Sequence, residues 1–154
     1  MLTLFGSGQS RSFRTLWAIE ESGLPFDYKA VNIGQKGEDG TQNDAYKQLN
    51  FQGKVPSLID GELIINESAA ILNYIAACVP EKQLMPLDDI ALRAYYDEIC
   101  FFVLSDLEQA LWSYAKHTFA LPKEHRVKAV LETARWEFEK SLKALSQYVA
   151  DNDF

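Results

Sequence analysis

The sequence predicts an α/β domain followed by an all-α segment, on three observations. A hairpin signal, Asp60-Gly61 between the runs Ser57–Ile59 and Leu63–Ile65, leads directly into helical spacing at Ala69, Leu72, Ile75 and Ala76. The start of the chain reads as strand, helix, strand, the pattern of a parallel βαβ unit. After the linker Val79–Asp88, which carries Pro80 and Pro86, the apolar positions repeat at helical spacing.

Taken in order, Leu2–Phe5 is a short apolar run that ends at Gly6-Ser7-Gly8-Gln9. Phe13, Leu16, Trp17 and Ile19 then predict a helix stopped by Gly23. Phe26–Ile33 predicts the second strand. The polar stretch Gly34–Asn50, with glycines at 34, 37 and 40, predicts a mobile loop leading into a short helix at Asp44–Leu49. The hairpin and its following helix, whose polar N-terminal residues are Asn66–Ser68, complete the order βαβ-α-ββα. The expected division is a first domain over 1–78, a linker over 79–88 and a helical domain over 89–154. In the last, Ile90–Ala115 predicts a long helix buried on several sides. Glu124–Val149 predicts an amphipathic helix with Val127, Val130, Leu131, Ala134, Phe138, Leu142 and Leu145 on one face, and Arg135 and Glu139 as a surface pair.

Composition narrows the function classes. At 154 residues and 47% hydrophobic content the chain can bury a core, and a net charge of −7 argues against a nucleic-acid partner. No apolar run approaches bilayer length and Met1–Phe5 lacks the features of a secretion signal, so no membrane association and a cytoplasmic location are expected. His117 and His125 stand in no ligand spacing, which predicts no metal site. Cys78 and Cys100, far apart on separate helical segments, read as packing residues rather than a disulfide or CxxC centre.

The stretch Lys54–Ser68, KVPSLIDGELIINES, carries the chemistry. A helix opening presents free N–H groups and a positive dipole end, so Glu67-Ser68 is placed to hold a small carboxylate through backbone amides and the Ser68 hydroxyl. Glu67 adds a preference for an ammonium beside that carboxylate, which together make an amino-acid end. A cis Val55–Pro56 bond would turn the chain and leave the Val55 N–H and C=O facing outward, where they can pair with an extended peptide.

The run KVPSLIDGELIINESAAILNYI resembles the glutathione-binding half of the glutathione S-transferase family, whose first domain is thioredoxin-like. The resemblance implies a serine-type, bacterial-like cytosolic member: a thioredoxin-like domain, then an all-α domain that is incomplete relative to the family and so C-terminally truncated. It implies glutathione as substrate, with Val55, after which comes Pro56, pairing with the cysteinyl backbone, and Glu67 and Ser68 holding the γ-glutamyl end. Lys54 is the candidate for the glycine carboxylate. In serine-type members the catalytic hydroxyl stands four residues before an arginine in the first helix, as Ser10 stands before Arg14; Ser10 is the expected catalytic group, with Ser12 the alternative, although Ser12 also suits the N-cap of that helix.

The resemblance further implies a homodimer and a small hydrophobic electrophile, with Tyr95, Tyr96, Phe102, Trp112 and Phe119 as candidate pocket linings. A non-catalytic binding module of the same shape is the alternative. A thioredoxin-type disulfide reductase is excluded, because its chemistry needs a cysteine pair that this domain lacks.

Overall fold

The computed structural model describes residues 1–149 and divides into two compact units, Met1–Asp88 and the chain from Asp89 onward. Residues 150–154, the end of the expected helical domain, lie outside the described residues. The first unit has the order β1 (Leu2–Gly6), α1 (Ser12–Ser22), β2 (Phe26–Ala30), α2 (Asp44–Leu49), β3 (Ser57–Asp60), β4 (Leu63–Asn66) and α3 (Ser68–Cys78). Its sheet runs β2-β1-β3-β4, with β1 parallel to β2 and antiparallel to β3. This is the βαβ-α-ββα order expected of a thioredoxin-like domain.

Leu2, Leu4, Ile19, Leu58, Ile71 and Ile75 form the core, where α1 and α3 supply side chains to one sheet face. Burying each such aliphatic side chain contributes about 1.5–3 kcal/mol. The sequence located α1 but not its face. Phe13 and Trp17 are 59% and 61% exposed, and Ser12, Thr15, Ile19 and Ser22 point inward. The buried hydroxyls are satisfied locally, Thr15 donating to the Ser12 carbonyl at 2.7 Å and Ser22 to that of Ile19 at 2.6 Å. On α3 the buried stripe is Ser68, Ile71, Ile75 and Ala76, so Leu72 lies beside the stripe rather than on it.

Two boundaries differ from expectation. β2 stops at Ala30, because β1 ends at Gly6 and offers no longer partner; Asn32 instead bridges Gly40. In the hairpin, Asp60 pairs with Leu63, so the loop is Gly61-Glu62, and Gly61 at φ 59° takes the first-position glycine of a type II′ pattern. Freed from the turn, Asp60 accepts a 2.7 Å hydrogen bond from Tyr74. In the 34–43 segment, Asn43 caps α2 through the Tyr46 N–H at 2.7 Å and donates to the carbonyls of Gly37 and Glu38.

The second unit contains α4 (Ile90–Phe102), α5 (Glu108–Ala115) and α6 (Val130–Val149), with π-helical turns at Val103–Leu107 and Lys116–Ala120. Asp89 caps α4 by accepting from the N–H groups of Ala91 and Leu92. The expectation of a helix buried on several sides is not met: Ile90 is 89% exposed, and Ala110 is the buried residue among those of α5. α6 begins at Val130 rather than Glu124, because Arg126 turns back to donate to the carbonyls of Thr118, Phe119 and Leu121. Its inward stripe is Leu131, Ala134, Phe138, Leu145 and Tyr148, while Val127 and Leu142 are exposed. Arg93 and Asp97 on α4 form an ion pair at 3.0 Å, whereas the expected Arg135–Glu139 pair is not formed among the described residues.

Candidate functional site

The first unit gathers its candidate residues at two places. One is the turn between β1 and α1. A Cβ on Gly6 would lie 2.7 Å from that of Ser12, so glycine at the strand end lets α1 start hard against the sheet. Ser12 is buried, accepts from the Ser7 N–H at 3.2 Å and contacts the Ser10 hydroxyl at 2.9 Å. It sits inside the helix, whose N-cap position is Arg11, so the N-cap role expected for Ser12 is corrected. Ser10 takes that function instead: its Oγ accepts from the Ser12 N–H at 3.1 Å. Ser10 is half-buried and also donates to the Ser7 carbonyl at 2.6 Å.

The second place is the open end of the β3–β4 hairpin. The Val55–Pro56 bond is cis. Among the described residues, neither the N–H nor the C=O of Val55 has a hydrogen-bond partner in the protein. Two residues beyond the last rung on the other strand, Ser68 opens α3. It is 5% exposed, and its hydroxyl likewise has no partner among the described residues and is not sealed from solvent. Glu67 precedes it with φ 70° and ψ 120°, positive-φ backbone that a non-glycine residue seldom adopts. The Ile71 N–H is bonded to the Glu67 carbonyl, and the amides ahead of it have no i−4 acceptor within the helix. The result is a free main-chain edge and a free helix opening on one side of one hairpin. The Lys54 side chain is exposed beside them.

A buried polar cluster behind this end was not foreseen. Tyr46 and Asn50 both donate to the Lys54 carbonyl, at 2.7 and 3.1 Å, and Ser57 donates to Asn66 Oδ1 at 2.7 Å. Burial raises the Tyr46 pKa above its ordinary 10.0, with the Ser57 hydrogen bond opposing, so Tyr46 remains a donor at neutral pH. The available signal was two small polar residues, Ser57 opening one predicted strand and Asn66 directly following the other.

In the second unit, Tyr95 and Phe102 pack on Tyr148, with ring centroids 6.4 and 5.3 Å apart. Arg93 lies over Tyr96, while Trp112 and Phe119 are exposed. Cys78 is exposed and Cys100 half-buried, so neither is the buried packing residue expected; both are free thiols. Among the described residues no three His, Cys, Asp or Glu side chains gather as a metal site, and no helix is long and apolar enough to cross a membrane.

The first unit is thus a thioredoxin-like domain in which a cis-proline edge lies beside a Glu-Ser helix opening. The family model "Glutathione S-transferase, N-terminal domain" matches residues 1–77, and the chain belongs to the glutathione S-transferase family. It is 35% identical over 100 residues to glutathione S-transferase Z1 of Arabidopsis thaliana, an alignment covering 64% of this chain and 43% of that protein. It is 34% identical over 82 residues to maleylpyruvate isomerase of a Ralstonia species, covering 53% and 36%. The chain therefore spans less than half the length of these curated relatives. Among solved structures, the theta class glutathione S-transferase of Xanthomonas axonopodis pv. citri, with glutathione bound, is 26% identical with a TM-score of 0.79, covering 97% of this chain and 70% of that one.

Proposed function

We propose that this chain binds glutathione at the open end of the β3–β4 hairpin and, as a glutathione transferase, activates its thiol toward small hydrophobic electrophiles. The observation that carries the reading is that the Val55 main chain and the Ser68 hydroxyl, which flank the two strands at the open end of one hairpin, are both without protein partners among the described residues. An extended tripeptide supplies what they lack. Its cysteinyl N–H and C=O pair with Val55, and its γ-glutamyl carboxylate takes the Ser68 hydroxyl and the amides of α3. Glu67 meets the adjoining ammonium, and Lys54 the glycine carboxylate. The glutathione-bound relative supports this assignment.

Ser10 supplies the chemistry. A thiol with a pKa of about 8.5 is only a few per cent ionised at neutral pH, and the thiolate is the reactive form. A hydroxyl donated to sulfur at the start of α1, with the helix dipole, favours the thiolate; a shift of about two pKa units corresponds to about 2.7 kcal/mol. To donate there, the Ser10 proton must leave the Ser7 carbonyl, giving up an intrachain hydrogen bond of about 1 kcal/mol. With an aryl halide, the C–S bond forms from the thiolate pair, the C–halogen bond breaks and halide departs, while the thiol proton passes to water. Ser12, buried and engaged with Ser7 and Ser10, is the weaker alternative. The same reading takes the protein to be a cytoplasmic homodimer, and light scattering on the purified chain tests the dimer.

The test is retention on immobilised glutathione beside conjugation of an aryl halide. Ser10→Ala is expected to be retained with reduced conjugation, and Ser68→Ala to be poorly retained. Loss of retention with Ser10→Ala but not with Ser68→Ala would overturn the assigned roles.

A further inference from the structure

The β3–β4 ladder ends at the rung Ser57↔Asn66. Val55 lies two residues before Ser57, and Ser68 two residues after Asn66. The separation of the free main-chain edge from the helix opening therefore depends on how firmly this rung and its flanks are held.

One arrangement of the protons behind the rung pairs every donor. Tyr46 donates its proton to the Lys54 carbonyl at 2.7 Å, and Ser57 donates to Asn66 Oδ1 at 2.7 Å, so the 3.2 Å contact between the two hydroxyl oxygens needs no proton of its own. Asn50 Nδ2 donates to the Lys54 carbonyl at 3.1 Å and reaches Ser57 Oγ at 3.4 Å, while its Oδ1 accepts from the Gln52 N–H. Asn66 Nδ2 then donates to the Leu49 carbonyl at 2.9 Å. Donation thus runs from Asn50, at the C-cap of α2, through the rung and back to Leu49 of α2. Tyr46, Asn50 and Ser57 are buried, and the Tyr46 ring also packs edge-on against Phe5 of β1. Satisfied networks of this kind resist displacement of their members, because pulling one away leaves a buried polar group unpaired.

We infer that Tyr46, Asn50, Ser57 and Asn66 are positioning residues for glutathione, fixing the span between the Val55 main chain and the opening of α3 without touching the ligand. This rests on the glutathione reading of the hairpin end. A two-point ligand is sensitive to that span, because misplacing either arm forfeits part of both contacts.

The test uses the 154-residue chain with Tyr46→Phe and Ser57→Ala, each measured for glutathione Kd by titration calorimetry and for Tm. Tyr46→Phe keeps the ring and its packing, so it remains informative if Ser57→Ala folds poorly. Each lost hydroxyl is expected to weaken glutathione about fivefold at a temperature where the variant is folded. A cycle with Ser68→Ala adds a readout that a purely structural role leaves unmoved: Ser68→Ala should cost at least about threefold less in the Tyr46→Phe background than in the original chain. A lowered Tm with unchanged Kd, or losses that simply multiply, would overturn the inference while leaving glutathione binding intact. Failure of the unsubstituted chain to bind glutathione would remove both.

Discussion

Replacing Ser68 with alanine separates ligand binding from folding. Ser68 is almost fully buried as a residue, yet its hydroxyl makes no hydrogen bond to the described protein, so removing the oxygen breaks no intrachain bond. Alanine also suits the first turn of a helix, and the change in Tm should be small. The ligand contact is different, because a hydroxyl donated to a carboxylate is charge-assisted and contributes about 1.5–3 kcal/mol. At about 1.4 kcal/mol per decade, that predicts a glutathione Kd roughly 10- to 160-fold weaker. Titration calorimetry reads the affinity and scanning fluorimetry the Tm. An unchanged Kd, or a loss of affinity that merely tracks a large fall in Tm, would refute the reasoning.

Three further outcomes follow from the same structure. Gly53→Ala should destabilise by about 1–3 kcal/mol in denaturant melts, because Gly53 has φ 61° and an added Cβ would meet the Gln42 side chain and lie 2.7 Å from the Thr41 carbonyl. Leu58→Ala, at a fully buried core position, should cost about 2–5 kcal/mol by the same measurement. Tyr46 has a folded pKa above its unfolded value, so its contribution to stability is complete below about pH 10 and is lost as pH rises through the folded value. Melting curves from pH 8 to 11 should fall at the alkaline end and fall less in Tyr46→Phe, with Tyr74, raised first by its bond to Asp60, retaining part of the slope.

The βαβ-α-ββα order was legible because glycine and polar punctuation falls where the chain turns, at Gly23, at Asn43 before α2 and at Gly61. The buried faces of helices were harder to read. In α1 three of the four inward positions are Ser12, Thr15 and Ser22, whose hydroxyls bond locally, whereas the larger apolar residues Phe13 and Trp17 face outward. Hydrophobic periodicity weights side-chain type and does not register that a small hydroxyl residue can be buried once its proton is placed. The same reasoning explains the site. Val55, Glu67 and Ser68 were visible as a pattern around one proline and one helix start, but the cluster behind them joins residues up to 20 apart in sequence, from Tyr46 to Asn66. Its members are individually ordinary polar residues, and only the fold gives them common partners. In the second unit the helices were recognisable by spacing, but the exact start of α6 depends on Arg126 folding back onto three carbonyls, which spacing does not encode.

The central claim is that the Val55 main chain and the Ser68 opening hold one tripeptide together. The measurement that addresses it most directly is an amide-resolved NMR titration of the 154-residue chain with glutathione. The amides of Val55 and Ser68 should shift together along one saturable curve, ahead of those in the second unit. Saturable binding that leaves both amides unmoved, or that moves them with different midpoints, would contradict the account.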